Sequence, residues 1–143
     1  MQLDIKEQSL ILEGKKYSRK ELMSLSANAT GDNTSSFLLD LYRFLADWFS
    51  DSPFMTVHTS GSTGTPKVLT VRKEQMMQSA RMTCEFLNLH TGDTALLCMP
   101  LQYIAGKMMV VRALVAGLNL ILRTPSGHPL ADVTVPLRFV AMV

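Results

Sequence analysis

The chain has 143 residues, of which 47% are hydrophobic and 18% charged, and its formal net charge is +2. This composition excludes a disordered chain, and the small net charge without a basic block argues against nucleic-acid binding. The length fits a single domain with a moderate core. The N-terminus does not resemble a signal peptide, and Lys107, Arg112 and Asn119 interrupt the most apolar region, 104–122. We therefore expect a cytoplasmic protein without membrane insertion.

The two cysteines, Cys84 and Cys98, lie among apolar residues and match no metal-binding or redox spacing. We interpret them as reduced thiols of the core. His58, His90 and His128 are scattered along the chain without an evident acidic partner. The sequence therefore predicts no metal site built from these residues.

Residues 1–52 are predicted to form a hairpin followed by helices. Ser18 and Glu21 have the spacing of a capping box, in which the serine hydroxyl satisfies an unpaired amide at the helix start. Residues 27–36 are rich in small polar side chains and are interpreted as a loop and internal linker. The predicted elements are strands over 2–5 and 9–13, a turn at Gly14 and Lys15, and helices from 19 to about 26 and over 37–49.

Strands and helices alternate from residue 53 to residue 143, which indicates an α/β layered fold with a mainly parallel sheet. Gly117 stands where a left-handed residue commonly ends a helix. The predicted strands cover 54–58, 68–71, 94–99, 118–122 and 137–143, the helices cover 73–89 and 104–116, and a loop covers 124–132. We divide the chain into segments 1–52 and 53–143, which together form one incomplete domain.

A loop rich in hydroxyls and glycine, residues 59–67, joins two of the predicted strands. Its sequence is Thr-Ser-Gly-Ser-Thr-Gly-Thr-Pro-Lys. Glycines allow backbone amides to turn toward an anion, hydroxyls donate to phosphate oxygens, and a lysine supplies positive charge. The loop therefore predicts polyphosphate binding, and a surface turn without a ligand is the alternative.

Two familiar phosphate-binding motifs do not fit this loop. A Walker A motif has glycine before its lysine and a hydroxyl residue after it, whereas Pro66 and Val68 flank Lys67. A dinucleotide-binding fingerprint needs three glycines, and only Gly61 and Gly64 are present. The loop is therefore not that of a P-loop kinase or of a dinucleotide-binding domain.

Residues 59–67 resemble the phosphate-binding signature of the AMP-forming acyl-CoA synthetase superfamily, which also includes luciferases and nonribosomal adenylation domains. A second segment, residues 99–106 with the sequence Met-Pro-Leu-Gln-Tyr-Ile-Ala-Gly, is similar to the Pro-Leu-aromatic-His-x-x-Gly segment of that family. Gln102 and Tyr103 depart from the family pattern where an aromatic residue and histidine are common. The resemblance extends over about residues 54–143.

The resemblance implies an enzyme that joins a carboxylic acid to the α-phosphate of ATP, releases pyrophosphate, and then transfers the acyl group to coenzyme A. Magnesium is the further cofactor that it implies. Hydrogen-bond donors directed at the departing pyrophosphate stabilise the charge that develops there. The resemblance assigns ATP phosphate binding to Thr59, Ser60, Gly61, Ser62, Thr63, Gly64, Thr65 and Lys67.

The acid-binding pocket is implied by a narrower resemblance. Gln102, Tyr103, Ile104, Lys107 and Arg112 together are most similar to the o-succinylbenzoate–CoA ligases of menaquinone biosynthesis. On this interpretation Gln102 and Tyr103 line the acyl pocket, and Lys107 or Arg112 binds a carboxylate of an aromatic dicarboxylic acid; packing within the protein is the alternative for Tyr103. Alternatively, both cations extend to solvent or pair within the protein, because an unpaired buried charge is costly. Another aryl or acyl acid is the alternative substrate.

The chain ends on an apolar run, residues 138–143, with no cap or polar tail. We therefore expect it to be the N-terminal part of a longer ligase whose adenine-binding, ribose-binding and catalytic residues lie beyond residue 143. The 143-residue chain alone is then predicted to be inactive and to self-associate through exposed apolar surface. A truncated phosphate-binding module without catalysis is the alternative.

Overall fold

The computed structural model describes residues 1–32, 34–59, 67–123 and 137–141. Within these ranges, seven strands form two sheets, which pack with four α-helices around a shared core. The strands are β1 (Ser9–Leu12), β2 (Lys15–Ser18), β3 (Phe54–Thr59), β4 (Lys67–Arg72), β5 (Thr94–Leu97), β6 (Asn119–Leu122) and β7 (Phe139–Ala141). The helices are α1 (Arg19–Asn28), α2 (Ser36–Trp48), α3 (Lys73–Phe86) and α4 (Ile104–Ala116).

The larger sheet contains five described strands in the order β2-β1-β6-β5-β7. β2 pairs with β1 in the antiparallel direction, and the other pairings in this sheet are parallel. α4 connects β5 to β6, as parallel neighbours require, because a tight turn cannot join their ends. The prediction of an α/β fold with a mainly parallel sheet is confirmed.

The central strand β5 is buried on both faces. Ala95, Leu96 and Leu97 are each 0% exposed. Ala95 and Leu97 belong to the main core, whereas Leu96 packs with Ile121 in a smaller cluster on the opposite face. This two-sided burial explains why the strand reads as a continuous apolar run rather than as an alternating pattern.

The hairpin formed by β3 and β4 lies outside the larger sheet, which the alternation of strands and helices did not indicate. All six residues of β3 pair with β4 in the antiparallel direction, from Phe54 with Arg72 to Thr59 with Lys67. Only residues 60–66 separate the two strands. So short a connection cannot hold the crossover that a parallel pair needs, and the two strands therefore pair in the antiparallel direction.

The N-terminus differs from the prediction of a strand over residues 2–5. Residues 5–7 form a short 3₁₀ helix, and the Asp4 carboxylate accepts a hydrogen bond from the Lys6 amide at its start. The partner of β1 is instead β2, which begins directly after the turn at Gly14. The predicted capping box is confirmed: Ser18 Oγ accepts from the Glu21 amide at 3.2 Å, and Glu21 Oε1 accepts from the Ser18 amide.

Other predicted elements occur with shifted ends. α3 ends at Phe86 rather than at residue 89, and β5 ends at Leu97 rather than at residue 99. The structure gives α4 the predicted bounds, and Gly117 follows it with a left-handed φ of 71°. The predicted loop over 124–132 lies outside the described residues. None of the described helices combines the length and apolar character needed to cross a bilayer.

A buried polar contact connects the N-terminal segment to the core. Trp48 is 0% exposed, and its indole Nε1 donates to Gln8 Oε1 at 2.8 Å. The Gln8 amide nitrogen donates in turn to the Gln2 carbonyl at 3.0 Å. The five-stranded sheet contains strands from both sides of residue 52, since β1 pairs with β6. The division into segments 1–52 and 53–143 stays a prediction.

Candidate functional site

The β3–β4 hairpin holds the ends of the predicted phosphate-binding loop. Thr59 and Lys67 are paired across the hairpin as the last residue of β3 and the first of β4. Met55 and Val57 attach β3 to the core, where their side chains are 3% and 0% exposed. The remaining loop residues of the prediction, Ser60, Gly61, Ser62, Thr63, Gly64 and Thr65, lie outside the described residues.

The second predicted motif forms a turn beside this hairpin. The Tyr103 amide donates to the Pro100 carbonyl at 3.4 Å, which closes the turn over residues 100–103. A parallel β-bridge joins Tyr103 to His58, the residue that precedes Thr59 in β3. Two motifs that are more than 30 residues apart in sequence are therefore adjacent where the phosphate loop begins.

Gly106 explains why this motif ends in glycine. A β-carbon at this position would lie 2.3 Å from the Pro100 carbonyl oxygen and 2.9 Å from its carbonyl carbon. Both atoms belong to backbone, which cannot rotate out of the way as a side chain can. The first turn of α4 therefore packs directly on the 100–103 turn, and only glycine allows this approach.

A groove of about 340 Å³ lies between α2, β3 and the 100–103 turn. Its walls include two basic side chains, two carboxylates and an aromatic ring. The lining residues are Asp40, Arg43, Phe44, Asp47, Thr56, His58, Leu101, Gln102 and Lys107. Two of the four predicted acyl-pocket residues, Gln102 and Lys107, thus face the same groove as the strand that leads into the phosphate loop.

Lys107 lies in the groove wall with its ammonium group partly buried. Its Nζ donates to the Leu101 carbonyl at 2.8 Å and lies 5.7 Å from the centre of the Phe44 ring. Burial lowers the pKa of Lys107, and the negative charges of Asp47 and Asp40 oppose this shift. The ammonium therefore already interacts with a carbonyl, an aromatic face and two acidic side chains.

Arg112 lies elsewhere. Its Nη1 is 3.6 Å from the Met109 sulfur, and its guanidinium lies 5.6 Å from the centre of the Phe139 ring in β7. Burial lowers the pKa of Arg112, and the nearby Cys84 opposes the shift. Arg112 does not line the groove described above. The structure thus places the two predicted cations of α4 in different surroundings, as expected for residues five positions apart on a helix.

The acidic wall of the groove was not predicted as part of a site. In the sequence, Asp40 and Asp47 are charged positions of the helix predicted over 37–49, and Phe44 is one of its apolar positions. Phe44 is indeed 3% exposed, but its ring also faces Lys107. The spacing of the three residues, four and then three positions, places them along one helical face. This spacing is the sequence feature that could have indicated a shared wall of a site.

A larger cavity, of about 720 Å³, lies at the opposite end of the hairpin, and none of the described site residues lines it. At its edge Lys73 is 3% exposed and donates from Nζ to the carbonyls of Asp47, at 2.8 Å, and Ser50, at 3.1 Å. Burial lowers the pKa of Lys73, while Asp47 and Asp51 oppose the shift. The Lys73 ammonium caps the C-terminal end of α2, which is a structural role.

The described residues contain no group of three or more histidine, cysteine or acidic side chains placed to bind a metal ion. The two thiols are buried, and burial raises the pKa of both Cys84 and Cys98.

Comparisons with solved structures place this arrangement among adenylate-forming enzymes. An acyl-CoA synthetase (AMP-forming)/AMP-acid ligase II-like protein from Dyadobacter fermentans is 35% identical, with a TM-score of 0.66. The alignment covers 78% of this chain and 31% of that protein. The chain thus spans about a third of the length of this relative.

A more distant structure shows a similar fold. It is a double mutant of o-succinylbenzoate CoA synthetase from Bacillus subtilis, bound to a product analogue, with 13% identity and a TM-score of 0.53. That alignment covers 85% of this chain and 42% of the Bacillus protein, and it supports the fold alone. A search of curated protein sequences found no significant match.

A family model, described as AMP-binding enzyme, matches residues 3–141, which is nearly the whole chain. The match includes the β3–β4 hairpin, the 100–103 turn and α4. It extends further toward the N-terminus than the two sequence motifs alone. The chain therefore belongs to the AMP-binding enzyme family.

Proposed function

We propose that this chain provides the phosphate-binding part of a ligase that activates a carboxylic acid with ATP and transfers the acyl group to coenzyme A. The observation that carries the proposal is the adjacency of the two motifs. The β-bridge between His58 and Tyr103 holds the 100–103 turn next to the strand that ends at Thr59. Membership of the AMP-binding enzyme family supports the same reaction class.

In this proposal residues 59–67 bind the β- and γ-phosphates of ATP. The paired ends of the hairpin hold the first and last residues of the loop, Thr59 and Lys67, at a fixed separation. The hydroxyls, the two glycine amides and the lysine form a donor set that fits a polyphosphate. Magnesium is the further cofactor of this proposal, since it prefers oxygen ligands and is commonly bound through phosphates.

We further propose that Gln102 and Tyr103 border the acid site and that the acid is an aromatic dicarboxylate such as o-succinylbenzoate. The groove beside Gln102 supports a binding site at this position. The similarity to the Bacillus synthetase supports the fold and not the substrate. Lys107 and Arg112 are the two cations proposed for the second carboxylate, and their different surroundings allow them to be tested separately.

The reaction class can be tested with the complete ligase that contains this chain. Acid-dependent exchange of labelled pyrophosphate into ATP is measured over a panel of aromatic mono- and dicarboxylic acids, and acyl-CoA products are identified by mass spectrometry. We expect exchange with at least one acid, strongest with o-succinylbenzoate. Absence of exchange with every acid, combined with intact binding of ATP, would favour the alternative of a phosphate-binding module without catalysis.

The role of the loop is tested in the same assay with Lys67→Met. This variant keeps the length of the side chain and removes the charge opposite the departing pyrophosphate. We expect a loss of about a hundredfold in the exchange rate, as for removal of one group that stabilises transition-state charge. Lys15→Met, on the exposed edge strand β2, is the matched control and should exchange at the wild-type rate. The 143-residue chain alone is expected to give no exchange.

A further inference from the structure

We propose that Lys107 is a positioning residue, which holds the turn of Gln102 and Tyr103 against β3, rather than a group that binds the substrate. The inference rests on the proposed function, in which this turn borders the acid site. It assigns one of the two candidate cations to the protein itself. Its first test measures the turn directly and does not depend on catalysis.

The contacts of Lys107 join α4 to both sides of the turn. Its ammonium donates to the Leu101 carbonyl at 2.8 Å, and its backbone amide donates to the Tyr103 carbonyl at 3.2 Å. Gln102 lies between these two attachment points. The Tyr103 backbone continues to the β-bridge with His58. The amide bond to Tyr103 is the first i to i−4 bond of α4 and would form with any residue except proline at this position. The bond from the ammonium to Leu101 is the contact that depends on lysine, and it ties α4 to the 100–103 turn.

The charge around Lys107 argues against a substrate carboxylate as its partner. The ammonium faces the Phe44 ring at 5.7 Å, and the acidic side chains of Asp47 and Asp40 act on it. Both carboxylates line the same groove. An incoming carboxylate would compete with these two carboxylates for the ammonium; Arg43 already pairs with Asp40 at 3.7 Å, so Asp47 is the main source of repulsion.

Arg112 provides the contrast that makes the assignment specific. Its described contacts are a thioether sulfur and the Phe139 ring, and its buried Nε has no hydrogen-bond partner among the described residues. Lys107 donates to a backbone carbonyl, whereas the contacts of Arg112 with the described residues include no backbone acceptor. If either cation binds the second carboxylate of the acid, the geometry points away from Lys107.

The direct test is amide hydrogen exchange of the 143-residue chain. Lys107→Met keeps most of the side-chain volume and removes the donor, and Lys107→Arg keeps a donor. We expect the Tyr103 and Lys107-position amides to exchange roughly fivefold to tenfold faster in the Met variant, because a hydrogen bond to a charged donor is lost. Exchange in the larger sheet should stay unchanged, and the Arg variant should restore most of the protection.

Lys20→Met, at an exposed position of α1, is the control and should leave the turn unaffected. Unchanged protection of the turn in Lys107→Met would overturn the proposal. Equal loss of protection in every strand and helix, or failure of the variant to fold, would overturn it too, because Lys107 would then support the whole core. An Arg variant that behaves like the Met variant would also contradict it.

The complete ligase gives a second test that separates positioning from substrate binding. Rates with an aromatic dicarboxylic acid are compared with those for the matching monocarboxylic acid. A positioning role predicts a similar fold-loss in kcat/KM for both acids in Lys107→Met, with recovery in Lys107→Arg. A loss confined to the dicarboxylic acid would show that Lys107 binds the second carboxylate. A wild-type ligase without activity would contradict the proposed function, while the hydrogen-exchange result would still decide the position of Lys107.

Discussion

The β3–β4 hairpin and the five-stranded sheet use similar apolar residues in very different surroundings. Val68 and Leu69 of β4 are 62% and 44% exposed, whereas Leu96 and Leu97 of β5 are 0% exposed. The hairpin contacts the core mainly through β3, with Val71 of β4 partly buried against it, and the outer side of β4 is an open edge among the described residues. The predicted phosphate-binding loop thus begins and ends on the less buried of the two sheets, at Thr59 and Lys67.

Strand β4 presents exposed apolar residues, Val68 and Leu69, on an open edge among the described residues. Exposed apolar residues on an edge strand favour association with another strand. The expectation that the 143-residue chain self-associates stays a prediction, and β4 is the place where we expect it to begin. Light scattering at several concentrations measures it directly.

The largest expected effect concerns the contact between α4 and the 100–103 turn. In Gly106→Ala the new β-carbon meets the Pro100 carbonyl oxygen at 2.3 Å, so backbone must move. We expect a loss of about 3 kcal/mol in the free energy of unfolding, the upper range for overpacking. Gly31→Ala, which meets nothing within 4 Å, is the control. Urea denaturation measures both, and equal stability of the two variants would show that the close contact is not a constraint.

The second effect concerns the anchor at the opposite end of the hairpin. Lys73→Met removes the ammonium that binds the carbonyls of Asp47 and Ser50, and it leaves both without this partner. We expect a loss of about 2 kcal/mol, typical for the loss of hydrogen bonds from a charged donor, here the buried Lys73 ammonium. Thermal unfolding at pH 7 measures it. A stability equal to that of wild type would mean that water replaces the ammonium.

The third prediction compares two residues that face each other across the hairpin. Val57 and Leu69 are cross-strand partners, but Val57 is 0% exposed and Leu69 is 44% exposed. Val57→Ala removes less side chain, yet we expect it to cost about 1.5–2 kcal/mol, because buried methyl groups are lost. For Leu69→Ala we expect less than about 1 kcal/mol. The reverse order in urea denaturation would mean that β4 is covered in solution.

The smallest expected effect is a change of stability with pH. Burial raises the pKa of Cys84, so the unfolded chain loses the thiol proton first as the pH rises. The stability that comes from the neutral buried thiol is complete below the unfolded pKa of about 8.5 and declines above it. Cys84→Ala should therefore show a weaker decline than wild type between about pH 8 and pH 10. The lysines whose pKa is lowered act in the opposite direction and are common to both proteins.

Much of the fold could be predicted because local signals coincide with tertiary packing. The bounds of α4 follow from its apolar run and from Gly117, which the structure shows in a left-handed conformation. The capping box at Ser18 satisfies its amides within one turn and needs no distant partner. Such features are encoded within a few residues, and the sequence therefore reports them directly.

The rest depends on partners that sequence patterns do not report. The hairpin was not separated from the parallel sheet, because an apolar strand has the same pattern in either sheet. The Lys107 ammonium binds the Leu101 carbonyl, and every residue offers such a carbonyl. Residue type therefore suggested Lys107 as a candidate cation but did not identify its partner. The four predicted pocket residues likewise gave no sign that Arg112 lies apart from the groove.

The measurement closest to the central claim is a titration of the 143-residue chain with inorganic tripolyphosphate, followed by backbone NMR. The account predicts shifts centred on the amides that flank the loop, at His58, Thr59 and Lys67. It also predicts at least about tenfold weaker binding in Lys67→Met, since a charged contact to phosphate is lost. Unchanged affinity in that variant would contradict this prediction. Shifts centred on Arg19 and Arg72, which line the larger cavity at the other end of the hairpin, would contradict it too.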